Sequence, residues 1–388
     1  MSTQNKKSQF APRLDALEAR EVPAVMALFN TSTLVVVGDG AANNIVVSAD
    51  AAGNLQVTNN GSAVAITTTL GTANRANLSS VFVDAKGGND SINLDRSLNV
   101  LDANGKLAAA PSGVLSGGAG NDRISAGTGG FLGGVIGNPI VGNLVMDGGA
   151  GDDFLDSGFG NDVLLGGSGN DTMRWLPGTL VDTFDGGDGN DTAVVVGNSN
   201  PINGSNADAF RLDADPTTGG ALFQRTNLIP FKVGLTHIEN VVMQTGAGDD
   251  TITVTALAGT GVKRVVLDGG DGNDTLDGSA ADVRLEVYGG AGNDTLLGGS
   301  KNDVLSGGDG NDVLTGGKGL DTLDGGAGND VLDDGVKDGQ QDNLIGGTGA
   351  DTFVRRQTNR ATSPTPMFDE IVLDFSTADG DVTKIMFV

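Results

Sequence analysis

The sequence predicts an all-β fold, a thin solenoid of stacked short strands, and three observations carry that prediction. A nine-residue unit recurs in fixed register along the chain. Glycine supplies 64 of the 388 residues while only 4% are aromatic, too little bulk for a thick globular core. Between the repeat blocks, short β-branched runs alternate with turn residues, the pattern of strands.

The repeat is clearest from Gly289 to Asp333, where GGAGNDTLL, GGSKNDVLS, GGDGNDVLT, GGKGLDTLD and GGAGNDVLD follow one another in phase. An earlier block begins at Gly148 with GGAGDDFLD, SGFGNDVLL and GGSGNDTMR, and resumes after a two-residue insertion as PGTLVDTFD and GGDGNDTAV. Isolated copies stand at Gly117, Gly269 and Gly346, and a degenerate one, KDGQQDNLI, starts at Lys337. Each position has a physical reason. Glycine at positions 1, 2 and 4 is expected to permit positive φ and close backbone approach, so that a sharp turn exposes its carbonyls. Asn at position 5 tolerates a left-handed conformation next best. Asp at position 6 aims a carboxylate into the turn, and Thr or Val followed by an aliphatic residue makes a short strand with one side chain inward.

Stacked copies would form a ladder of aliphatic side chains inside and a ladder of carboxylates at the turns. At about 5 Å spacing such carboxylates repel one another unless a cation lies between them. Calcium suits the site because it takes six to eight carboxylate and carbonyl oxygens in flexible geometry. Magnesium demands a stricter octahedron, and zinc wants His or Cys, of which the chain has one and none. Flexible linkers share this composition, but they do not hold Asp and an aliphatic residue in register over successive copies.

These nonapeptides resemble the calcium-binding repeat of the repeat-in-toxin (RTX), or hemolysin-type, family, over about two fifths of the chain. The resemblance implies a right-handed parallel β-roll or β-helix solenoid with several calcium ions between coils, two nonapeptides to a coil. Each ion would sit between one turn and the turn two copies on. Asp294 would share an ion with Asp312, Asp303 with Asp321, Asp312 with Asp330, and Asp153 with Asp171. The carboxylates so assigned are Asp122, Asp153, Asp162, Asp171, Asp182, Asp191, Asp274, Asp294, Asp303, Asp312, Asp321, Asp330, Asp342 and Asp351. Carbonyls at positions 2 and 4 would complete the shells, from Gly149, Gly151, Gly167, Gly169, Gly290, Gly292, Gly308, Gly310, Gly317, Gly319, Gly326 and Gly328. Lys301 and Leu180 replace position-4 glycines, so the sites they border are expected to be weaker. Asp122, in an isolated copy, has no in-phase partner and is expected to bind poorly.

Composition bounds the partners. The formal charge is −26, and the acids are 44 aspartates against five glutamates, a bias toward the carboxylate that fits a tight turn. Such a charge repels nucleic acid and attracts cations. Cysteine is absent, which removes disulfides and thiolate chemistry, and no apolar run approaches the roughly 18 to 20 residues that span a bilayer.

The ends suggest export. Leu17-Glu18-Ala19-Arg20-Glu21-Val22-Pro23-Ala24 is similar to the L-E-x-R-x-x-P segment of exported bacterial repeat proteins, although a standard cleaved signal is not evident. Phe368 to Phe375 and the terminal Ile385-Met386-Phe387-Val388 resemble the uncleaved C-terminal export region of RTX proteins, with Lys384 where that family often has an acid. An apolar strand capping the last coil is the structural alternative.

Thr33 to about Asn99, with a turn relic at Asn89-Asp90 that lacks one glycine, and a second region with a like relic at Asp249-Asp250 after the strand-like Ile238 to Met243, both read as wider coils of parallel β-helix mostly without metal. Pro201 to Phe231 reads as a loop or small lateral hairpin. His237 is the single histidine, so neither a zinc-protease motif nor a His-dependent triad can be assembled, and a structural role is expected for it. Trp175 is expected to plug a coil end, and Arg355, Arg356 and Arg360 to lie on a solvated cap.

The expected organisation is an export or disordered segment at 1–29, β-helix-like strands with degenerate repeats at 30–112, a first calcium roll at 113–200, an irregular insert and strands at 201–245, a second calcium roll at 246–354 and a cap or secretion signal at 355–388. The expected function is calcium binding in a secreted or cell-surface bacterial protein of structural or adhesive type, not an enzyme, with folding coupled to calcium. Its candidate partners are calcium and a surface or matrix polysaccharide, with no nucleic acid and no membrane span. The alternative is a β-helical polysaccharide lyase or epimerase that carries calcium repeats.

Overall fold

A computed structural model describes residues 25–101, 107–126, 142–158, 160–175, 181–197, 207–227, 231–336, 338–357 and 370–387. The segment at Leu17–Ala24, Leu180, Arg360 and Phe368 lie outside the described residues. Apart from two single-turn 3₁₀ segments, Arg75–Asn77 and Arg96–Leu98, the regular structure is strand. Among the described residues no helix is long and apolar enough to cross a membrane.

The strands form two walls, one of 18 strands and one of 15. From Ser80–Asp84 onward, apart from the antiparallel pair Val100–Leu101 with Leu107–Ala109 and the insert, the chain alternates between them and each strand pairs in parallel with the strand one coil away. Between Arg284–Ala291 and Thr322–Ala327 in the second roll the coil length is 18 residues, so Gly290 aligns with Gly308 and Gly308 with Gly326. Two nonapeptides therefore make one coil. The roll is a parallel β-solenoid, as the repeat predicts.

Alternation at period two turns one side chain of each short strand inward. On the shorter wall Ile92, Ile124, Leu155, Met173, Ala193, Val241, Val265 and Leu285 are successive cross-strand neighbours. On the longer wall Ile252, Leu276, Leu296, Leu314, Leu332 and Phe353 stack in the same way. All are at most 1% exposed. Full burial of a leucine is worth about 1.5–3 kcal/mol, so the core is a sum of small increments along the axis.

Two regions depart from the expected parallel coils. At the start, Met26–Asn30 pairs antiparallel with Thr33–Val37, and Asn44–Ala49 pairs antiparallel with Leu55–Asn59, which pairs antiparallel with Ser62–Val64. Among the described residues these hairpins cover the open edge of the first coil.

The second departure is the insert. Ala209–Ala214, Ala221–Arg225 and Phe231–Thr236 form an antiparallel meander, not a lateral appendage. Its outer strands pair in parallel with the coils on either side, Phe231–Thr236 with Val181–Asp188 and Ala209–Ala214 with Thr251–Val254. The longer wall thus carries three strands where the shorter wall carries one, Asn240–Ala247. Aromatic bulk fills the junction. Trp175 is fully buried and stacks on Phe231 at 3.9 Å, with Phe223 at 6.1 Å, and Phe210 meets Phe223 edge-on at 5.0 Å.

Candidate metal columns at the corners of the roll

Each corner of the roll is a nonapeptide turn, and the turns stack. In the second roll Asp294 N–H donates to Oδ1 of Asp312 at 2.8 Å, and Asp312 N–H donates to Oδ1 of Asp330 at 2.8 Å. The bond repeats along the whole corner, linking Asp208, Asp250, Asp274, Asp294, Asp312, Asp330, Asp351 and Asp381 at 2.5–3.1 Å. The opposite corner of the same block links Leu285, Asp303, Asp321 and Asp342. In the first block one corner links Asn43, Asp90, Asp122, Asp153, Asp171 and Asp191, and the other links Leu144, Asp162 and Asp182. The four pairs expected to share ions are adjacent rungs of these columns.

At most of these aspartates one carboxylate oxygen is satisfied by this bond and the other is not; the exceptions include Asp303 and Asp381, whose Oδ2 accepts from Gly299 N–H and Ser376 N–H at 2.7 Å each. Oδ2 of Asp122, Asp153, Asp171, Asp274, Asp294, Asp312, Asp330 and Asp351, among others, is buried with no hydrogen-bond donor. Leaving a buried acceptor without a partner costs about 1–3 kcal/mol, more for a charged group. The cost recurs at every coil, which marks a ligand position.

Carbonyls converge on the same oxygen. A Cβ placed on Gly307, at position 1, would lie 2.3 Å from Oδ2 of Asp312 and 2.5 Å from the carbonyl oxygen of Gly325, the position-1 residue of the next coil. Both oxygens therefore face one small space. Position-1 glycines such as Gly307 do not have positive φ, contrary to the expectation from sequence. They are glycines because that space has no room for a methyl group. Positions 2 and 4 do have positive φ, +108° at Gly308 and +139° at Gly310. Their would-be Cβ atoms meet the carbonyl oxygens of Gly290 at 2.0 Å and Gly292 at 1.7 Å, so those carbonyls run along the stack from coil to coil. The same holds in the first block, where Gly167 faces the carbonyl of Gly149 and Gly169 that of Gly151. Gly319 faces the carbonyl of Lys301 at 2.4 Å, so the turn keeps its form where Lys replaces glycine.

Burial raises the pKa values of the column carboxylates. Desolvation lifts Asp153 and Asp274 to about 7, Asp321 to about 8, and Asp162, Asp171, Asp303, Asp312 and Asp330 to about 6. Repulsion from column neighbours adds to this at Asp153, Asp274, Asp312 and Asp321. Among the described residues no three acidic, His or Cys side chains come together. Carboxylates supplied singly by successive coils, with carbonyls around them, suit a hard cation that accepts both oxygen types.

The structure adds residues that sequence phasing passed over. Asp122 is not isolated. It stacks on Asp153 across 31 residues and on Asp90 across 32. Asp90 and Asp250, read as relics without metal, occupy full rungs with buried, donorless Oδ2 atoms. The position-1 carbonyls were also missed; the signal was a glycine in nearly every copy at a position whose φ does not require one.

His237 is exposed, with Nδ1 2.6 Å from Oδ1 of Asp185, a contact that raises its pKa above the ordinary histidine value. Trp175 is interior, part of the junction rather than a surface platform. Arg355 and Arg356 lie on the strand Thr352–Gln357.

A family model for the RTX calcium-binding nonapeptide repeat, in four copies, matches residues 114–130, 145–173, 180–193, 263–284, 288–323 and 306–335. No curated protein matches the chain. The corner turns within those residues are RTX nonapeptide repeats, and the ligand such repeats bind is Ca²⁺, several ions to the chain.

Proposed function

We propose that this carrier of RTX calcium-binding repeats is a secreted or cell-surface structural protein whose roll folds when calcium fills its corners. The ligands are the column aspartates from Asp122 to Asp191 and from Asp274 to Asp351, with Asp90 and Asp250 added, and the glycine carbonyls of the same turns. The organisation follows the columns. A hairpin-capped start, a first roll, the meander insert, a second roll and a C-terminal cap succeed one another.

The observation that supports this reading most directly is the buried Oδ2 without a donor, repeated coil after coil. A chain of charge −26 that stacks such groups expands when they ionise unneutralised. Extracellular calcium modules bind at about 10⁻⁴–10⁻³ M, so sites of that class stay empty in a cytosol and fill outside it, coupling folding to export. A structural or adhesive role suits a rod assembled from identical small coils.

The test is far-UV circular dichroism with small-angle scattering on the full chain during a calcium titration. A transition from expanded to compact, reversed by chelator, is expected. Equal compactness and melting temperature in chelator and in millimolar calcium would overturn the reading.

A further inference from the structure

Asp191 is the last repeat aspartate of the first block, and the chain leaves for the insert soon after it. The residues that cover it come from the far side of that insert. Asp191 N–H donates to Oε2 of Glu239 at 2.9 Å, where one coil earlier Asp171 N–H donates to Oδ1 of Asp191 at 2.7 Å. A Cβ on Gly186 would lie 2.0 Å from the carbonyl oxygen of His237 and 2.6 Å from Oδ2 of Asp191. One coil earlier the equivalent position on Gly166 faces the carbonyl of Gly186 at 2.5 Å and Oδ2 of Asp171 at 2.4 Å. Glu239 thus stands where the next aspartate would be, and His237 where the next position-1 glycine would be.

We propose that Glu239 and the His237 carbonyl complete a calcium site on Asp191, so that the first roll takes its last ion only when the insert has docked. The inference rests on the calcium reading of the columns. Asp191 is fully buried and its Oδ2 has no donor, so an unpartnered oxygen points into the space these two residues close. His237 adopts φ of +50°, unusual for a side chain of its size, and so turns its carbonyl inward without a glycine. Nδ1 bonding to Asp185 and burial of Ile238 hold that turn in place.

The longer glutamate reaches the column from a turn that is not a nonapeptide. Its nearest basic group, Lys263 Nζ, is exposed and 3.9 Å from Oε1, too loose to neutralise it. A groove of about 300 Å³ lined by Thr218, Thr236, His237, Glu239 and Thr260 opens beside the site, leaving room for water to complete a shell. The site joins two parts of the chain 48 residues apart, unlike the 18- and 20-residue steps of the two rungs before it.

The test counts calcium ions by calorimetry on the full chain for Glu239→Gln, Asp191→Asn and the control Glu286→Gln. Glu239→Gln keeps an acceptor for the Asp191 amide, and buried Trp175 fluorescence checks that each variant folds in saturating calcium. Glu239→Gln is expected to weaken one ion at least about tenfold, since ligand charge sets affinity. Glu286→Gln, whose carboxylate is paired with Arg264 and Arg284, should retain the wild-type ion count. Asp191→Asn losing ions while Glu239→Gln loses none would overturn the proposal and leave the calcium reading intact. A wild-type chain that binds no calcium would overturn both.

Discussion

Arg225 and Asp208 form an ion pair inside the roll, with side chains 3% and 0% exposed. Asp208 is the first carboxylate of the long column of the second roll, and its N–H donates to Asp250. The insert removes the coil that would have preceded it. At this first rung a guanidinium supplies a permanent positive charge.

Replacing Arg225 with Met should therefore be severe, because it leaves Asp208 buried and uncompensated. Removing one partner of a buried pair costs about 3–5 kcal/mol. Thermal melts in saturating calcium should show a large fall for Arg225→Met and a partial recovery when Asp208→Asn is added. A melting temperature unchanged by the single substitution would refute this.

Asp312→Asn preserves an oxygen acceptor for the Asp294 amide while removing the charge. Calcium calorimetry should register weaker ions on both sides of that rung, toward Asp294 and toward Asp330. The columns of the first block, which share no turn with Asp312, should keep their affinities. Weakening confined to a single ion would mean that each aspartate serves one site and not two.

Acidity should act in opposite directions on the metal-free and calcium forms. Burial raises these carboxylates to about 6–8 in the fold, whereas in the unfolded chain they titrate near the ordinary aspartate value of about 3.9. The folded state thus binds more protons, and the metal-free roll loses stability as pH climbs from about 4 through 8. In chelator, β-sheet dichroism should strengthen as pH is lowered from 8 to 5. Calcium must displace those protons, so its affinity should fall over the same range, with proton release measurable by calorimetry in buffers of different ionisation enthalpy.

Gly308→Ala would place a methyl group 2.0 Å from the Gly290 carbonyl at φ of +108°. An alanine where φ is positive destabilises by more than about 1 kcal/mol, before the clash is counted. The melting temperature in calcium should drop, and Gly219→Ala offers a control, because φ is also positive there but no atom lies within 4 Å.

Trp175 is the only tryptophan and is wholly buried against Phe231 and Phe223. Its fluorescence should shift to the blue as calcium is added to the unfolded chain. Trp175→Ala should destabilise by about 3–5 kcal/mol, the usual loss for a large aromatic in a core.

The sequence makes the second roll legible because copies that adjoin in the chain are also consecutive in space. From Gly289 onward, counting residues is counting half-coils. That equivalence fails wherever the chain makes an excursion at a corner. Asp122 and Asp153 are 31 residues apart yet one coil apart, so phasing by nine separates what the strand register unites. Glu239 was invisible for the same reason, and also because it is the wrong acid. Arg225 could not be recognised as a cation in the column, since nothing in TNLIPF or its neighbours shows that the strand before it lies in the wall. The position-1 carbonyls escaped because backbone geometry, not residue type, aims them.

An eighteen-residue coil built from two nine-residue halves gives the roll something like a reading frame. Excising a whole coil shortens the rod and leaves every later residue facing as before. Excising half a coil would send each downstream strand to the opposite wall and bring carboxylates from different corners into one file. Lengthening or trimming such a rod is therefore quantised, and the unit of change is the pair of repeats rather than the repeat.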